Sequence, residues 1–587
     1  MQISTDRVLI LSSTGGSGHE QGAQSVEQVL LQSGLSKDHI VKVDVMNSFC
    51  TGIPAFGRFC TRLWDNAQKT GNVKRQVLLV SGQWLFDKMC FLSTYLYVYS
   101  LLKDSRHRPT RVILTSPLFL SAICCAVKRV NKTSAAPILI DLYMTEPPTD
   151  KALHFFDPIR NLRECQRNLL TLHVQKPCER DLQNCGDEEK YWFTKTGLFS
   201  SQIMHDSPIK THFQNSENLP MPGSACELKI TAHNNYEKET AFLRELVKKS
   251  VAQSFDAQIR ECVFSIRSHD KVCLLMLGGI PTKKAILDYV DKALELAKII
   301  ENQGLHASSL HKNYLFVACG NPSTGLYEEV CKRLQNASVS SLIIVPFTGQ
   351  PLEQVFARAD ITITRSGGMT SLEILALKKN TKRNDPKKIL IHSEAGSAAL
   401  SLEEFYYGKN TAMQKPFSSA KKAEGVFQDY NEYLIQKGIP LWEGSNAAYL
   451  IKEVAGVEIV TAKVISSYFK NAFFPSTQKN QVEKSITSSL QERALSNLQA
   501  ISLRKERLPK LFSKKGYSIL VGAAIAALGT FFYFDSFFIP GCILAATSIL
   551  GLYALFAGDI EDDFADQHFE EVDESVNIDI INPAYLD

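Results

Sequence analysis

The chain of 587 residues is long enough for three or four domains, or for two large domains and an appendage. Apolar residues make up 44% and charged residues 21%, which excludes a broadly disordered protein. Lys and Arg exceed Asp and Glu by 65 − 61 = 4, but eleven of the acids lie in residues 559–587, which hold no Lys or Arg. The rest therefore carries 65 − 50 = +15. A basic body with an acidic tail favours phosphates or a membrane surface as partners, and we expect no nucleic-acid partner.

The chain start and the cysteines indicate a cytosolic compartment. Residues 1–5 are polar and the apolar run 8–11 is too short for a signal core, so no secretory signal is predicted. The fourteen cysteines form no CxxC pair and no zinc-ligand spacing with histidines. We therefore predict reduced thiols and not a disulfide framework.

Short apolar runs that alternate with helical patterns predict an α/β fold with two doubly wound, Rossmann-like domains. The first domain should contain strands at 8–12, 41–45, 111–115 and 137–142, helices at 19–31 and 117–130, and helical or irregular material at 56–102. The polar stretch 200–268 is predicted to be mostly helix or loop and to contain the interdomain link.

The same pattern restarts near residue 271 and predicts the second domain. Its strands should lie at 272–277, 314–318, 341–345, 361–364 and 389–392, with helices at 284–301, 326–334, 351–358 and 370–377. A helical stretch over 456–497 is predicted to lead out of it.

The C-terminal region changes character after a cluster of six basic residues between 504 and 515. Residues 518–534 and 536–557 contain no charge and are separated only by Asp535. At about 1.5 Å per residue they reach about 26 and 33 Å, close to the ~30 Å of a bilayer core. This predicts a transmembrane or re-entrant hairpin, with a buried helical hairpin as the alternative. The basic flank places both termini in the cytosol.

The predicted organisation is therefore fivefold. A first Rossmann-like domain spans 1–225, a second with its linker 226–475, a helical basic linker 476–516, the hairpin 517–558 and the acidic tail 559–587.

Three glycine turns follow predicted strands, at residues 14–19, 278–279 and 365–368. Ligands of open α/β sheets bind beyond the carboxyl ends of the strands, where glycine and helix N-terminal amides suit a phosphate. Neither the GxGxxG nor the GxxxxGK[ST] spacing is present, which argues against dehydrogenases and P-loop NTPases. Glu373, one turn beyond the third glycine turn, could accept bonds from ribose hydroxyls or simply complement the helix dipole.

These residues resemble a known family. RSGGMTSLEILAL, preceded by VPFTGQPLEQVFARADI, resembles the donor-site signature of GT-B glycosyltransferases, above all the peptidoglycan N-acetylglucosaminyltransferase MurG and the monogalactosyldiacylglycerol synthases. SSTGGSGHEQGAQSV resembles their N-terminal TGGGH loop, LTSPLFLSAICCAV a later strand and helix, YWFTKTGL the stretch before the crossover, and LLMLGG the opening of the second domain. The resemblance covers residues 7–475 in patches.

The resemblance implies a role for each matched residue. The nucleotide base would be held by Phe347 and its neighbouring backbone, the diphosphate by Ser366, Gly367 and Gly368, and the ribose by Glu373. Gly278 and Gly279 would line the donor cleft, and Arg365 and Thr370 would belong to the same donor site. The acceptor-side loop would comprise Thr14, Gly15, Gly16 and Gly18. His19 would deprotonate the attacking hydroxyl, although a His after a glycine turn can also be a helix-start hydrogen-bonder. Asp141, expected to end a strand facing the cleft, is a second candidate base, or else a helix cap or turn residue.

Two departures from the family pattern bear on these roles. Ser17 is an extra residue in the glycine loop and could displace His19. Glu403 and Glu404 stand where the family often has a Gln-Gln or Gln-Glu pair that contacts the donor sugar, beyond an apparent insertion at 394–399. Acids there imply a different sugar or different hydroxyl contacts.

The leading hypothesis is a membrane-anchored, inverting hexosyl- or N-acetylhexosaminyltransferase that moves a sugar from a UDP-sugar to a lipid or protein hydroxyl, with no obligatory cofactor or metal. The alternatives are an inactive GT-B scaffold that recruits partners to a membrane, and a sugar-nucleotide epimerase, which would need no anchor. EEVDE near the C-terminus also resembles translocation signals of bacterial secretion effectors. If it is one, the protein acts on a host membrane.

Overall fold

The computed structural model describes most of the chain up to residue 474. Described are residues 7–14, 16–103, 108–134, 136–149, 151–209, 213, 218–233, 236–249, 251–302, 311–335, 337, 339–348, 352–379, 387–394 and 438–474. The chain divides into two units, Met1–Thr477 and Gln478–Asp587, and every element below belongs to the first. The predicted basic linker, hairpin and acidic tail lie outside the described residues.

The first domain is built on a six-stranded, all-parallel sheet in the order β2-β1-β3-β4-β5-β6. The strands are β1 (Val8–Ser12), β2 (Ile40–Asp44), β3 (Arg111–Leu114), β4 (Leu139–Tyr143), β5 (Leu170–His173) and β6 (Ile203–Met204). Its helices are α1 (Ser17–Gln32), α2 (Pro54–Lys69), α3 (Val73–Ser81), α4 (Gln83–Met89), α5 (Phe91–Lys103), α6 (Leu120–Asn131), α7 (Asp157–Arg160), α8 (Glu164–Arg167), α9 (Glu179–Cys185) and α10 (Glu188–Thr196).

The second domain also has a six-stranded parallel sheet, in the order β12-β11-β10-β13-β14-β15. Its strands are β10 (Lys271–Met276), β11 (Asn313–Ala318), β12 (Ile343–Phe347), β13 (Ile361–Thr364), β14 (Lys388–His392) and β15 (Val457–Val460). The helices are α11 (Glu237–Lys248), α12 (Lys283–Asn302), α13 (Leu326–Gln335), α14 (Glu353–Arg358), α15 (Gly368–Lys379), α16 (Leu441–Glu453) and α17 (Ile465–Phe473). The predicted pair of doubly wound, Rossmann-like domains is confirmed.

Strand β10 shows why its sequence reads as one continuous apolar run. Val272, Leu274 and Met276 enter one hydrophobic core, whereas Cys273 and Leu275 enter another, which also contains the buried face of α12. Successive side chains of a strand point to opposite faces of the sheet, so a strand covered on both faces has no polar side.

Two sequence predictions are wrong. Region 200–268 was expected to be helix or loop, but it contains an antiparallel sheet in the order β7-β9-β8, formed by β7 (Cys226–Thr231), β8 (Ser254–Asp256) and β9 (Glu261–Ile266). Only alternate residues of β7 and β9 are buried, so polar residues on the other face masked the strand pattern. The start of 456–497 was expected to be helical, but it forms β15, which completes the second sheet beside β14.

The cysteines and the helices add two observations. All thirteen cysteines in the described part of the chain are free thiols, as predicted for them. Within the same residues, we find no helix whose length and apolar character would let it span a bilayer.

Candidate functional site

Each parallel sheet has a point where the chain changes its direction of winding. In the second sheet, β11 and β12 lie to one side of β10, whereas β13 and β14 lie to the other. In the first sheet, β2 and β3 flank β1 in the same way. The carboxyl ends of strands at such a switch point form a crevice where ligands of doubly wound sheets bind. All three predicted glycine turns follow these central strands.

The N-termini of two long helices meet between the domains. Helix α1 begins directly after the turn that follows β1, and α15 begins after the turn that follows β13. A Cβ atom added at Gly18 in α1 would lie 3.2 Å from Cγ of Met369 in α15, so the two helix starts are in contact. Helix N-termini carry amide donors and a partial positive charge, so their meeting point favours an anion.

The turn before α1 depends on a glycine and on an aspartate that the sequence argument missed. Gly16 caps the helix with φ +146, a conformation that residues with a Cβ rarely adopt. Asp44, the last residue of β2, accepts hydrogen bonds from the backbone N–H groups of Thr14 at 3.3 Å and Met46 at 3.0 Å. Its position at a strand end beside the switch point was the available signal.

His19 lies in the first turn of α1 and is fixed by residues that follow β3 and β4. Its Nδ1 is 2.7 Å from the carbonyl oxygen of Thr115 and 3.1 Å from the hydroxyl of Thr145. A carbonyl only accepts, so the contact with Thr115 places the ring proton on Nδ1 and the lone pair on Nε2. The extra Ser17 therefore does not remove His19 from the seam between the domains.

The surroundings of His19 favour the neutral form of its imidazole. Burial lowers the pKa of His19, and the hydrogen bond to the carbonyl of Thr115 opposes this only in part. A neutral ring with an unprotonated Nε2 has the form that a general base requires.

Arg365, predicted to belong to the donor site, is held by an ion pair at the end of β13. Its Nε and Nη2 lie 3.1 and 2.9 Å from the two carboxylate oxygens of Glu443 in α16, and Nη2 also donates to Gln76 of α3 at 3.3 Å. Burial lowers the pKa of Arg365, but the carboxylates of Glu443 and Glu394 outweigh burial and raise it. Arg365 therefore links the turn after β13 to α16 and to α3 of the first domain.

The next residue of the turn is also held by α16. The hydroxyl of Ser366 donates to the carbonyl of Glu443 at 2.7 Å, and Asn446 donates to the carbonyl of Ser366 at 3.0 Å. The backbone N–H of Ser371 donates to the carbonyl of Gly367 at 2.9 Å, which begins the hydrogen-bonding pattern of α15. These contacts fix the turn, so its amide groups are held in place at the helix start.

A carboxyl group from the first domain lies against this helix start. This group belongs to Glu146, which lies in the loop after β4. It accepts a hydrogen bond from the backbone N–H of Gly368 and another from Nδ2 of Asn446 at 2.9 Å. Glu146 as a whole residue is half-buried. Burial raises the pKa of Glu146 to about 8, Glu443 adds to the increase, and both hydrogen bonds oppose it. Sequence reasoning missed Glu146 because it lies in a loop without periodicity.

A second buried carboxylate follows β14. Oε1 of Glu394 accepts from the hydroxyl of Thr282 at 2.5 Å, and Oε2 lies 3.2 Å from Nε2 of His392. The same Thr282 hydroxyl lies 3.1 Å from the carbonyl of Gln68 in α2, which joins the two domains. Burial raises the pKa of Glu394, but His392, Arg365 and Thr282 outweigh burial and lower it to about 2.

The remaining predicted donor residues take several environments. Glu373 lies in the second turn of α15 and is 8% exposed, and Thr370 is half-buried in the first turn. Phe347 ends β12 with its side chain in the hydrophobic core, so only its backbone could face a nucleotide base. Gly278 and Gly279 follow β10, beside the turn after the neighbouring parallel strand β13. Gly15, Glu403 and Glu404 lie outside the described residues.

Asp141 does not end a strand, which corrects the sequence prediction. It lies inside β4, because the strand ends at Tyr143. Its carboxylate is 2.9 and 3.0 Å from Nε and Nη2 of Arg111, and 3.4 Å from Nε2 of His173. Burial raises the pKa of Asp141, but His173 and Arg111 outweigh burial and lower it. A carboxylate bound in this way is a weak base. The geometry therefore favours Asp141 as an ion-pair partner within the first sheet over Asp141 as the catalytic base.

Comparison with solved structures gives matches to sugar-nucleotide enzymes over most of the chain. A glycosyltransferase from Rickettsia africae is 12% identical with a TM-score of 0.30, covering 81% of this chain and 100% of that one. MurG of Acinetobacter baumannii is 10% identical with a TM-score of 0.30, covering 79% and 99%. The UDP-GlcNAc 2-epimerase of Neisseria meningitidis, bound to UDP-GlcNAc, is 12% identical with a TM-score of 0.29, covering 76% and 98%.

The chain matches no protein-family model and no curated protein sequence. At the identities and TM-scores of the structural matches, the likeness carries no argument about chemistry. Two doubly wound domains with facing switch points nevertheless form a GT-B-like fold, which the sheet topology of this chain shows directly.

Proposed function

We propose that the protein is a glycosyltransferase that moves a sugar from a UDP-sugar to a hydroxyl acceptor. The observation that carries the proposal is the meeting of α1 and α15 at the two facing switch points, with His19 at the start of α1. This arrangement supplies an anion site for a diphosphate and a neutral imidazole on the opposite domain. The choice of UDP rests on the resemblance of RSGGMTSLEILAL to the GT-B donor signature.

The reaction follows from these two groups. Nε2 of His19 takes the proton of the acceptor hydroxyl, and the oxygen attacks the anomeric carbon. The bond from that carbon to the diphosphate oxygen breaks, and its electron pair leaves with UDP. The amide groups at the start of α15 would stabilise the developing charge, because fixed donors need no reorganisation during the reaction. Attack from the side opposite the diphosphate inverts the anomeric configuration.

We further propose that the acceptor, or the enzyme itself, is at a membrane surface. Supporting this, α4 and α5 present large apolar side chains to solvent, with Trp84, Leu92 and Leu96 each more than half exposed. Lys88 lies 4.8 Å above the ring of Trp84. Exposed apolar groups with a lysine beside them suit the headgroup region of an anionic bilayer. The apolar segments 518–534 and 536–557 point to the same partner from the sequence.

Donor binding is tested by calorimetry of UDP with the full chain and with the Glu373→Ala variant. Loss of a charged hydrogen bond to the ribose should weaken binding by about 1.5–3 kcal/mol. Thermal unfolding of both proteins controls for the loss of a buried side chain at Glu373. Unchanged affinity in a folded variant would remove Glu373 from the site.

Assays of turnover separate the rival functions. A glycosyltransferase releases UDP from a UDP-sugar in proportion to acceptor consumed. An epimerase converts the UDP-sugar to its epimer without an acceptor, and an inactive scaffold binds UDP but does neither.

Membrane association is tested by pelleting with vesicles of mixed neutral and anionic lipid, before and after a salt wash. The full chain should remain bound in salt, and deletion of 513–558 should leave only salt-sensitive binding. A full chain that stays in the supernatant without detergent would contradict the proposal.

A further inference from the structure

The start of α15 already holds a carboxyl group in this structure. A Cβ atom added at Gly368 would lie 2.4 Å from Cδ and 2.5 Å from Oε1 of Glu146, and 2.2 Å from the carbonyl oxygen of Thr145. The amide of Gly368 donates to the Glu146 carboxyl group. Gly368 is one of the residues to which the proposed function assigns the diphosphate. Glu146 therefore lies where an oxygen of the donor would bind.

The loop that carries Glu146 is fastened to the second domain at the carboxyl group and again a few residues further along the chain. Asn446 of α16 donates to Glu146 and accepts from the hydroxyl of Thr149 at 2.8 Å. The backbone N–H of Lys151 donates to the hydroxyl of Ser445 at 3.0 Å. The contact between Glu146 and Gly368 is thus part of an ordered interface between the domains.

We propose that Glu146 is an internal occupant of the phosphate site, and that a donor diphosphate binds at the start of α15 by displacing it. This inference rests on the proposed function, since it assigns the regulation of the same site. A carboxyl group and a phosphate both present acceptor oxygens to helix N-terminal amides, so they compete for the same donors. The donor's apparent affinity is then reduced by the fraction of molecules in which Glu146 is in place.

Displacement of this loop would also reach the acceptor side. Thr145, the neighbour of Glu146, lies 3.1 Å from Nδ1 of His19. When the loop withdraws, Thr145 moves away from the imidazole while the carbonyl of Thr115 still fixes the Nδ1 proton. Donor binding and access to His19 are therefore coupled through one short segment.

The test compares binding of UDP and of inorganic pyrophosphate by the full chain and by Glu146→Ala. Removing the occupant should tighten UDP binding by about 3–10-fold, because the competing state is lost. Thr149→Val is the matched control, since it breaks an interdomain hydrogen bond of the same loop and leaves the carboxyl group on Gly368. Its UDP affinity should stay within about twofold of the wild type. If Glu146→Ala does not fold, Glu146→Ser replaces it, because serine is polar but too short to reach Gly368.

The outcomes are distinguishable. Equal or weaker UDP binding by a folded Glu146→Ala variant overturns the inference and leaves the proposed function intact. Equal tightening by Thr149→Val also overturns it, because loosening the interface would then suffice. Absence of UDP binding in all variants, with pyrophosphate bound more tightly by Glu146→Ala, would refute the nucleotide function and support the occupant. Binding of neither anion by any variant refutes both.

Discussion

His19 and Thr115 hold each other by two reciprocal contacts. Nδ1 of His19 lies 2.7 Å from the carbonyl oxygen of Thr115, and the hydroxyl of Thr115 donates to the carbonyl oxygen of His19 at 2.9 Å. Thr115 directly follows β3, so the second contact ties the first turn of α1 to the neighbouring strand across the switch point. The imidazole is thereby fixed in both tautomer and position, as a general base requires.

Replacing His19 should therefore affect chemistry much more than binding. We expect His19→Ala to lower turnover by about 10²–10⁴-fold with nearly unchanged UDP affinity, measured by UDP release and calorimetry. Thr115→Val is the control, because it keeps the carbonyl acceptor and loses only the hydroxyl, so its turnover should fall much less. Since burial lowers the pKa of His19, the acidic limb of the rate profile should lie below pH 6.5. A decrease of only a few-fold in His19→Ala would assign the base elsewhere.

Two adjacent glycines at the start of α15 should respond differently to alanine. A Cβ at Gly368 would collide with the carbonyl of Thr145 and the carboxyl of Glu146, whereas one at Gly367 has no other heavy atom within 4 Å. Gly368→Ala should lower the free energy of unfolding by about 1–3 kcal/mol through overpacking. Gly367→Ala should change it by less than about 0.5 kcal/mol. Chemical denaturation of both variants checks this, and equal effects would mean that the loop at Glu146 yields freely.

The elements and the site differ in how far the sequence could predict them. β1 and β13 are predicted to the residue because both are short, fully buried runs of mostly aliphatic or β-branched residues that lead into glycine turns. The prediction for Asp141 was wrong because the strand was predicted at 137–142, whereas β4 spans Leu139–Tyr143. Glu146, Glu443 and Asn446 could not be found, since Asn446 is 300 positions from Glu146 and only the packing of the two domains joins them.

The ion pair of Arg365 and Glu443 should be costly to break from either side. Both side chains are less than a tenth exposed, so removing one partner leaves a buried charge without compensation. Arg365→Met or Glu443→Leu alone should destabilise the protein by about 3–5 kcal/mol. The double variant should be closer to wild type than the sum of the two, because it leaves no unpaired charge. Additive losses in the double-mutant cycle would show that Arg365 and Glu443 do not stabilise the protein as a pair.

Glu394 should make the stability of the protein sensitive to acid. Its pKa is lowered from 4.5 to about 2, so folding favours the ionised carboxylate. The stabilisation is therefore complete above pH 4.5 and is lost as the pH falls from 4.5 towards 2, by up to about 3 kcal/mol. Other carboxyl groups titrate in the same range, so the measurement is the difference in unfolding free energy between wild type and Glu394→Gln at each pH. That difference should be large at pH 6 and should vanish near pH 2.

Thr282→Val, which removes only the hydroxyl that bridges Glu394 and the carbonyl of Gln68, should retain most of the pH dependence. A difference that stays constant over this range would show that the pairing with His392 and Arg365 does not hold Glu394 ionised.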